Sequence, residues 1–184
     1  QVDNDMSFFG SPTHPRGMGP LIRLCLHNGV EPWFIPMSEP WRNGVVEKFN
    51  DHHQQKFWAK VDMKSEARLF RESFGFENRH NSRYRYSKLK GRTPLQATES
   101  LGGKPRFPNG AAPPRHPLIK PVSGKYHLVR FIRSNGRLNV FGETFPVPRN
   151  LQYEYVVGTV NVHKQKLELS HDGVKGEEYD YRMR

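Results

Sequence analysis

Hydrophobic residues in the first part of the chain recur mostly at helical spacing. Residues 21–27 form a short apolar stretch that predicts a helix, and Asn28-Gly29 supplies the left-handed residue that commonly ends one. Residues 30–36 predict a short strand, in which Pro32 disfavours a central position in a sheet. Another helix is expected to open near Pro40, because proline is well tolerated in a first turn.

The helix near Pro40 carries an apolar stripe and an opposite polar face. Steps of three and four residues connect the stripe, which is expected to pack inward: Trp41, Val45, Val46, Phe49, His53 and Phe57. Glu47 lies on the polar face together with Asn43. A second helix is expected from Ser65 to about Glu77, packed through Ala67, Leu69, Phe70 and Phe74.

The spacing of hydrophobic residues changes in the last third of the chain, where β-branched and aromatic residues predominate. Five short strands are predicted, at about 126–132, 137–141, 155–162, 166–170 and 177–182. Ser134-Asn135-Gly136 and His171-Asp172-Gly173 supply residues typical of hairpin turns. This density of strands predicts a small antiparallel five-stranded β-barrel over residues 124–184.

Glycine and proline are dense between these two regions, which disfavours regular structure there. Residues 101–123 are therefore interpreted as a basic linker that could follow a DNA backbone. The expected organisation is an α/β domain over residues 1–100, this linker, and the small all-β domain.

Composition then narrows the class of protein. The net charge is +11, which favours a polyanionic partner such as DNA; a basic protein without such a partner is the alternative. The single cysteine, Cys25, indicates a reducing compartment. No apolar run is long enough to span a membrane, and residues 1–20 lack a signal-peptide pattern. A cytoplasmic, DNA-associated protein without a membrane partner is expected.

Two carboxylates stand out as candidate metal ligands. Asp3 follows an expected strand end, and Glu47 lies on the predicted helix. Carboxylates from separate elements suit a hard cation such as Mg²⁺ or Mn²⁺, and a pair of such ions can catalyse attack on phosphorus. Two solvated surface carboxylates are the alternative interpretation.

The order of these features resembles the second half of the catalytic core of DDE-type transposases and integrases. The resemblance is closest to bacterial insertion-sequence transposases with a retroviral-integrase-like core. Its most specific element is Pro40-Trp41-Arg42-Asn43-Gly44-Val45-Val46-Glu47, and it continues through residues 78–94. Residues 124–184 are similar to the C-terminal barrel of some of these enzymes. The resemblance implies part of a ribonuclease-H-like core and, in the complete protein, DNA cleavage and strand transfer.

The family's site residues carry over to a few positions here. Asp3 matches the second metal-binding aspartate and Glu47 the metal-binding glutamate, with Asn4 and Asn43 beside them as positioning residues. Two Mg²⁺ or Mn²⁺ ions are implied for the complete enzyme. Asp5 stands where the family commonly has glycine, and a turn or helix-capping role is expected for it over a metal contact.

The family site also needs an aspartate from an earlier strand, which would precede residue 1. The chain is therefore expected to be the C-terminal part of a transposase, inactive by itself and multimeric in its full-length form. The alternative is a non-catalytic DNA-binding remnant.

Two groups of basic residues are the candidate DNA contacts. The first is Arg79, Arg83, Arg85, Lys88, Lys90 and Arg92, interleaved with Tyr84 and Tyr86, and the second is Lys125, Arg130, Arg133 and Arg137 in the predicted barrel. A solvated basic face is the alternative. The nine histidines lack cysteine partners at zinc-site spacing, so structural zinc is not expected.

Overall fold

The chain divides into two compact units in the computed structural model, which describes residues 1–11, 13–62, 64–101 and 119–184. The sheet unit comprises Gln1–Asn43 with Ala112–Arg184, and the helical unit comprises Gly44–Ala111. Neither unit coincides with the expected domain of residues 1–100, because the first 43 residues belong with the C-terminal strands. Most of the predicted linker, residues 101–123, lies outside the described residues.

The sheet unit is a mixed α/β structure. Its described helices are α1 (Met6–Phe9) and α2 (Pro20–His27). Its described strands are β1 (Trp33–Phe34), β2 (Lys125–Phe131), β3 (Arg137–Val140), β4 (Glu143–Pro146), β5 (Tyr155–Asn161), β6 (Lys166–His171) and β7 (Val174–Asp180). The predicted helix at residues 21–27 is confirmed, and Gly29 adopts the expected left-handed conformation with φ of 66°.

The strands form one five-stranded sheet in the order β1-β2-β5-β6-β7 and a separate two-stranded sheet of β3 and β4. β1 runs parallel to β2, with Trp33 opposite His127, and the other neighbours are antiparallel. No closed barrel is formed by the strands in the described ranges. The prediction of a closed five-stranded barrel is therefore corrected: β1 occupies the edge of β2 that closure would need, and β3 and β4 pair with each other.

Alternation along β2 defines the inner face of the large sheet. Tyr126 and Leu128 are fully buried and lie opposite Val160 and Gly158 of β5. An added Cβ at Gly158 would come within 3.1 Å of the Leu138 side chain, so this glycine leaves room for the core. The core therefore forms between the large sheet, the small sheet and the N-terminal segment, where Ile22 and Phe34 are also fully buried.

The helical unit contains three α-helices in its described part: α3 (Gly44–His53), α4 (Glu66–Arg83) and α5 (Pro94–Ser100). A 3₁₀ turn at Pro40–Asn43 precedes α3, and a π-helical turn at Gln54–Trp58 continues it. Ser65 caps α4 by accepting a hydrogen bond from Arg68 N at 3.3 Å, so the predicted start is confirmed. The helix runs six residues beyond the expected end at Glu77.

The apolar stripe of α3 is buried only towards its C-terminal end. Phe57 is 4% exposed and contacts Phe76 of α4, with ring centroids 5.7 Å apart. Val45 and Val46 are 62% and 57% exposed, so the expectation that the whole stripe packs inward is wrong. The reason is that α4 covers the side of this helix that carries His53 and Phe57. Phe70 and Phe74 of α4, which were also expected to pack, are exposed.

None of the helices in the described ranges combines the length and the apolar content that crossing a bilayer requires.

We predict that Gly19→Ala destabilises the sheet unit. Gly19 N donates to Phe9 O at 2.9 Å, and a Cβ at position 19 would overlap Phe8 O and lie 2.6 Å from Phe9 C. Because these are backbone atoms, a loss of about 1–3 kcal/mol in the free energy of unfolding is expected by urea denaturation. Gly44→Ala is the control, since nothing lies within 4 Å of its added Cβ. Equal losses in the two variants would contradict the close approach at Gly19.

Candidate metal-binding and nucleic-acid-binding site

Asp3 lies at the carboxyl end of a short parallel pairing. Val2 pairs with Phe34 in parallel: Val2 N donates to Trp33 O at 2.8 Å, and Ile35 N donates to Val2 O at 3.0 Å. The connection between the two paired segments contains α1 and α2, so this part of the chain is a β-α-β crossover. Asp3 is exposed at this edge. Edges formed by the carboxyl ends of parallel strands are common ligand sites in α/β proteins.

Asp5 has the capping role that the sequence predicts. Its Oδ1 accepts a hydrogen bond from Ser7 N at 2.8 Å at the start of α1, and its own N–H donates to Asp3 Oδ1 at 3.1 Å. The hydrogen bonds from Ser7 lower the pKa of the Asp5 carboxyl. The Asp5 carboxylate therefore stabilises the helix start, and its backbone orients the carboxylate of Asp3.

Asn4 contacts a buried arginine of β2. Arg130 is 3% exposed, and its Nη2 donates to Asn4 Oδ1 at 2.7 Å. Arg130 also donates to Asn139 O at 3.1 Å, to Ile35 O at 3.0 Å and to Val129 O at 2.9 Å. Asn4 Nδ2 donates to the same Ile35 O at 2.7 Å. Burial lowers the pKa of Arg130 to about 10, so its guanidinium remains charged at neutral pH.

Arg130 therefore has an internal structural role, and its side chain is not part of an exposed basic face. Strand alternation was the available signal, because position 130 is in phase with the buried Tyr126 and Leu128. Among the other basic residues of this group, Arg133 and Arg137 are exposed and Lys125 is half-buried.

Glu47 lies in the first turn of α3, where its side chain is exposed. Asn43 is the last residue of the 3₁₀ turn that precedes this helix, and it is half-buried. The two predicted metal ligands thus belong to different units, Asp3 to the sheet unit and Glu47 to the helical unit. In the part of the chain that the structure describes, no three His, Cys, Asp or Glu side chains are grouped to hold a metal ion.

The first basic group forms an exposed surface of the helical unit. Its members occupy the last turns of α4 and the compact turn that leads into α5: Arg79, Arg83, Arg85, Lys88, Lys90 and Arg92, all exposed. Within the described ranges, none of the six pairs with a carboxylate. We call these six residues the basic tract. Its charge is available to an external anion.

The turn that carries the basic tract is held by backbone hydrogen bonds. Gly91 N donates to Tyr86 O at 3.0 Å, and Tyr86 N donates to Arg92 O at 3.2 Å. The Tyr86 hydroxyl forms a hydrogen bond with His80 Nε2 at 3.1 Å, and the ring of Tyr84 meets Tyr86 edge-on at 4.8 Å. The two tyrosines therefore pack within the unit and give the tract a defined backbone.

His80 is buried in a cluster of aromatic and histidine rings that the sequence analysis did not single out. Its ring lies 5.1 Å from Phe49, 5.7 Å from Phe76 and 5.2 Å from His52. Burial, with the charges of His52 and His53, lowers the pKa of His80. Burial also lowers the pKa of His52, with smaller contributions from neighbouring cations. Spacing along one helix could have linked His52 to His53, but the contact of His52 with His80 depends on how α4 packs.

No protein-family model, curated protein or solved structure matches this chain.

We predict that Arg130→Met destabilises the sheet unit by about 2–4 kcal/mol, because four buried or part-buried acceptors lose a charged donor. Urea denaturation measures this loss. Arg133→Met removes the same charge from an exposed position, and its effect should stay below about 0.5 kcal/mol. A loss in Arg130→Met no larger than in the control would exclude a structural role for this hydrogen-bond network.

The stability of the helical unit should rise with pH. The folded pKa values of His52 and His80 lie below the ordinary value of 6.5, so the unfolded chain binds more protons between those lowered values and 6.5. The free energy of unfolding therefore increases with pH across this window and levels off above it. Denaturation at a series of pH values should show the slope in the wild type and in His163→Gln. The slope should be smaller in His52→Gln/His80→Gln, and an unchanged slope there would contradict this assignment.

Proposed function

We propose that this chain is the C-terminal part of a DDE-type transposase or integrase and takes part in DNA cleavage and strand transfer within the complete protein. The observation that carries the proposal is the crossover in which Asp3 ends the first segment of a parallel pair. That arrangement is expected of the second half of a ribonuclease-H-like core. Glu47 on α3 and the sequence around it agree with the same family pattern.

A metal site for DNA strand transfer requires more ligands than the described residues bring together. Asp3 is an exposed carboxylate, and Glu47 is another on a separate unit. Both are suitable oxygen ligands for Mg²⁺ or Mn²⁺, but a site with two ions needs further carboxylates. In the complete enzyme the metal would supply activation of the attacking oxygen and stabilisation of the leaving oxygen. The residues of this chain alone do not fit that site, and we propose that the chain by itself performs no strand transfer.

DNA binding is the part of the function that this chain could carry by itself. The six cations of the basic tract have no carboxylate partner among the described residues, and Arg133 and Arg137 add charge on the sheet unit. Cations of this kind bind phosphates by releasing counterions, without reading bases. We propose that the full-length protein is a homo-multimer, because transposition must hold two DNA ends together. We also propose that it acts in the bacterial cytoplasm.

A second candidate is a non-catalytic DNA-binding remnant of a transposase. The exposed charge of the basic tract favours it as strongly as it favours the enzyme. The two candidates differ only in whether the complete protein catalyses strand transfer. In a longer protein that contains this chain, Asp3→Asn or Glu47→Gln should abolish strand transfer and leave DNA binding unchanged if the enzyme is correct. A remnant would show no strand transfer before substitution. Strand transfer by the 184-residue chain with Mg²⁺ would contradict the proposed inactivity of the chain alone.

We predict that the basic tract dominates DNA binding by the helical unit. Arg79→Gln, Arg83→Gln and Lys88→Gln together should weaken binding to a DNA duplex about tenfold or more and reduce the slope of log K against log salt by about 0.9 for each lost phosphate contact. Fluorescence anisotropy at several salt concentrations measures both quantities.

The matched control for the basic tract removes three exposed charges elsewhere in the helical unit: Lys56→Gln, Lys60→Gln and Arg71→Gln. This control should retain most of the affinity. If the two triple variants lose affinity equally, binding depends on net charge, and the tract is no distinct surface.

A further inference from the structure

Three arginines converge on a cleft of the sheet unit. The cleft has a volume of about 400 Å³ and lies between the loop around Ser38, the end of β2 and the start of β3. Arg130 is part of its wall and is almost completely buried, whereas Arg133 and Arg137 are exposed. The arginines therefore place positive charge both inside the cleft and at its opening.

The cleft has little negative charge to balance these cations. Glu39 is the one carboxylate among its described lining residues. Glu39 is already engaged, because Arg42 Nε lies 2.5 Å from its Oε2 and the Tyr155 hydroxyl donates to its Oε1 at 2.6 Å. Within the described ranges, none of the three cleft arginines pairs with a carboxylate. The cleft thus carries an excess of positive charge.

Arg130 is held in place before any ligand arrives. Its hydrogen bonds to Ile35 O, Asn139 O and Asn4 Oδ1 fix the guanidinium plane. These acceptors are neutral, so they satisfy its N–H groups without cancelling its charge. A buried charge interacts more strongly with a nearby anion than an exposed one does, because solvent screens it less.

Neutral donors complete the lining of the cleft. Asn135 Oδ1 accepts from Arg137 N at 3.2 Å, so the Asn135 amide nitrogen remains as a donor. Ser38, which carries a hydroxyl group, is also among the lining residues. Planar guanidinium groups with neighbouring amide and hydroxyl donors match the tetrahedral oxygens of a phosphate.

We propose that this cleft is a binding site for a phosphate group, and that its source is the backbone of bound DNA. The identification of DNA as the source rests on the proposed function, whereas the anion site itself rests on the arginines and the cleft. The site differs from the basic tract, because it is a defined cavity with a buried cation and belongs to the other unit.

The experiment uses the 184-residue chain with Arg133→Gln/Arg137→Gln, which removes two exposed arginines and leaves the buried Arg130 in place. The control, Arg149→Gln/Arg182→Gln, removes two exposed arginines of the same unit that do not line the cleft. NMR spectra of the backbone amides of both variants establish that they fold.

Inorganic phosphate is the first probe, followed through the backbone amides of Ser38, Asn135 and Asn139. The wild type and the control should show saturable shifts at these amides, and the cleft variant should bind phosphate about tenfold more weakly or worse. Each broken bidentate contact accounts for a loss of this order. Equal phosphate affinity in the cleft variant and the control would overturn the site.

A DNA duplex is the second probe, titrated at several salt concentrations. The cleft variant should lose about one to two units of salt slope relative to the control. If the wild type binds phosphate at the cleft but binds no duplex, the anion site stands, its source is free phosphate, and the proposed DNA function fails. If duplex binds while phosphate does not and the two variants behave alike, DNA binding stands and the cleft proposal is overturned.

Discussion

The hydrogen-bond network of Arg130 is the interaction on which the sheet unit most depends. It joins Asn4, which follows the first segment of the parallel pair, to Ile35, which follows β1, and to Asn139 of β3. These segments are far apart in sequence, and one buried cation satisfies acceptors on all three. Because one buried cation donates to acceptors on all of these segments, the network ties the edge that carries Asp3 to the C-terminal strands.

This arrangement gives the C-terminal strands a structural part in the candidate site. β1, the second strand of the crossover that presents Asp3, pairs on its other side with β2, whose residues lie more than ninety positions later. The sheet unit is therefore continuous from its N-terminal segment to its last strand, whereas the expected organisation separated an α/β domain from a barrel. Loss of the C-terminal strands would therefore disturb the position of Asp3.

Local chemistry explains which predictions from the sequence are confirmed. The helix at 21–27 with its end at Gly29, the start of α4 at Ser65 and the cap provided by Asp5 each depend on a few neighbouring residues. The burial of Arg130 was missed because charge was weighed above strand alternation. The exposure of Val45 and Val46 was missed because an apolar stripe predicts burial without identifying the surface that covers it.

The sequence by itself determined the helices α2 and α4, most strands, the hairpin turn between β6 and β7, and the identity of the candidate carboxylates and cations, whereas the predicted hairpin turn at Ser134-Asn135-Gly136 joins β2 and β3, which do not pair. Tertiary structure alone decided that residues 1–43 belong with the C-terminal strands, that the large sheet stays open, and that one of four predicted basic contacts is buried. The physical reason is the separation along the chain of the residues that interact. Turns, caps and periodicity reflect interactions between near neighbours, whereas strand partners and buried charges depend on which distant segments meet and which acceptors they bring.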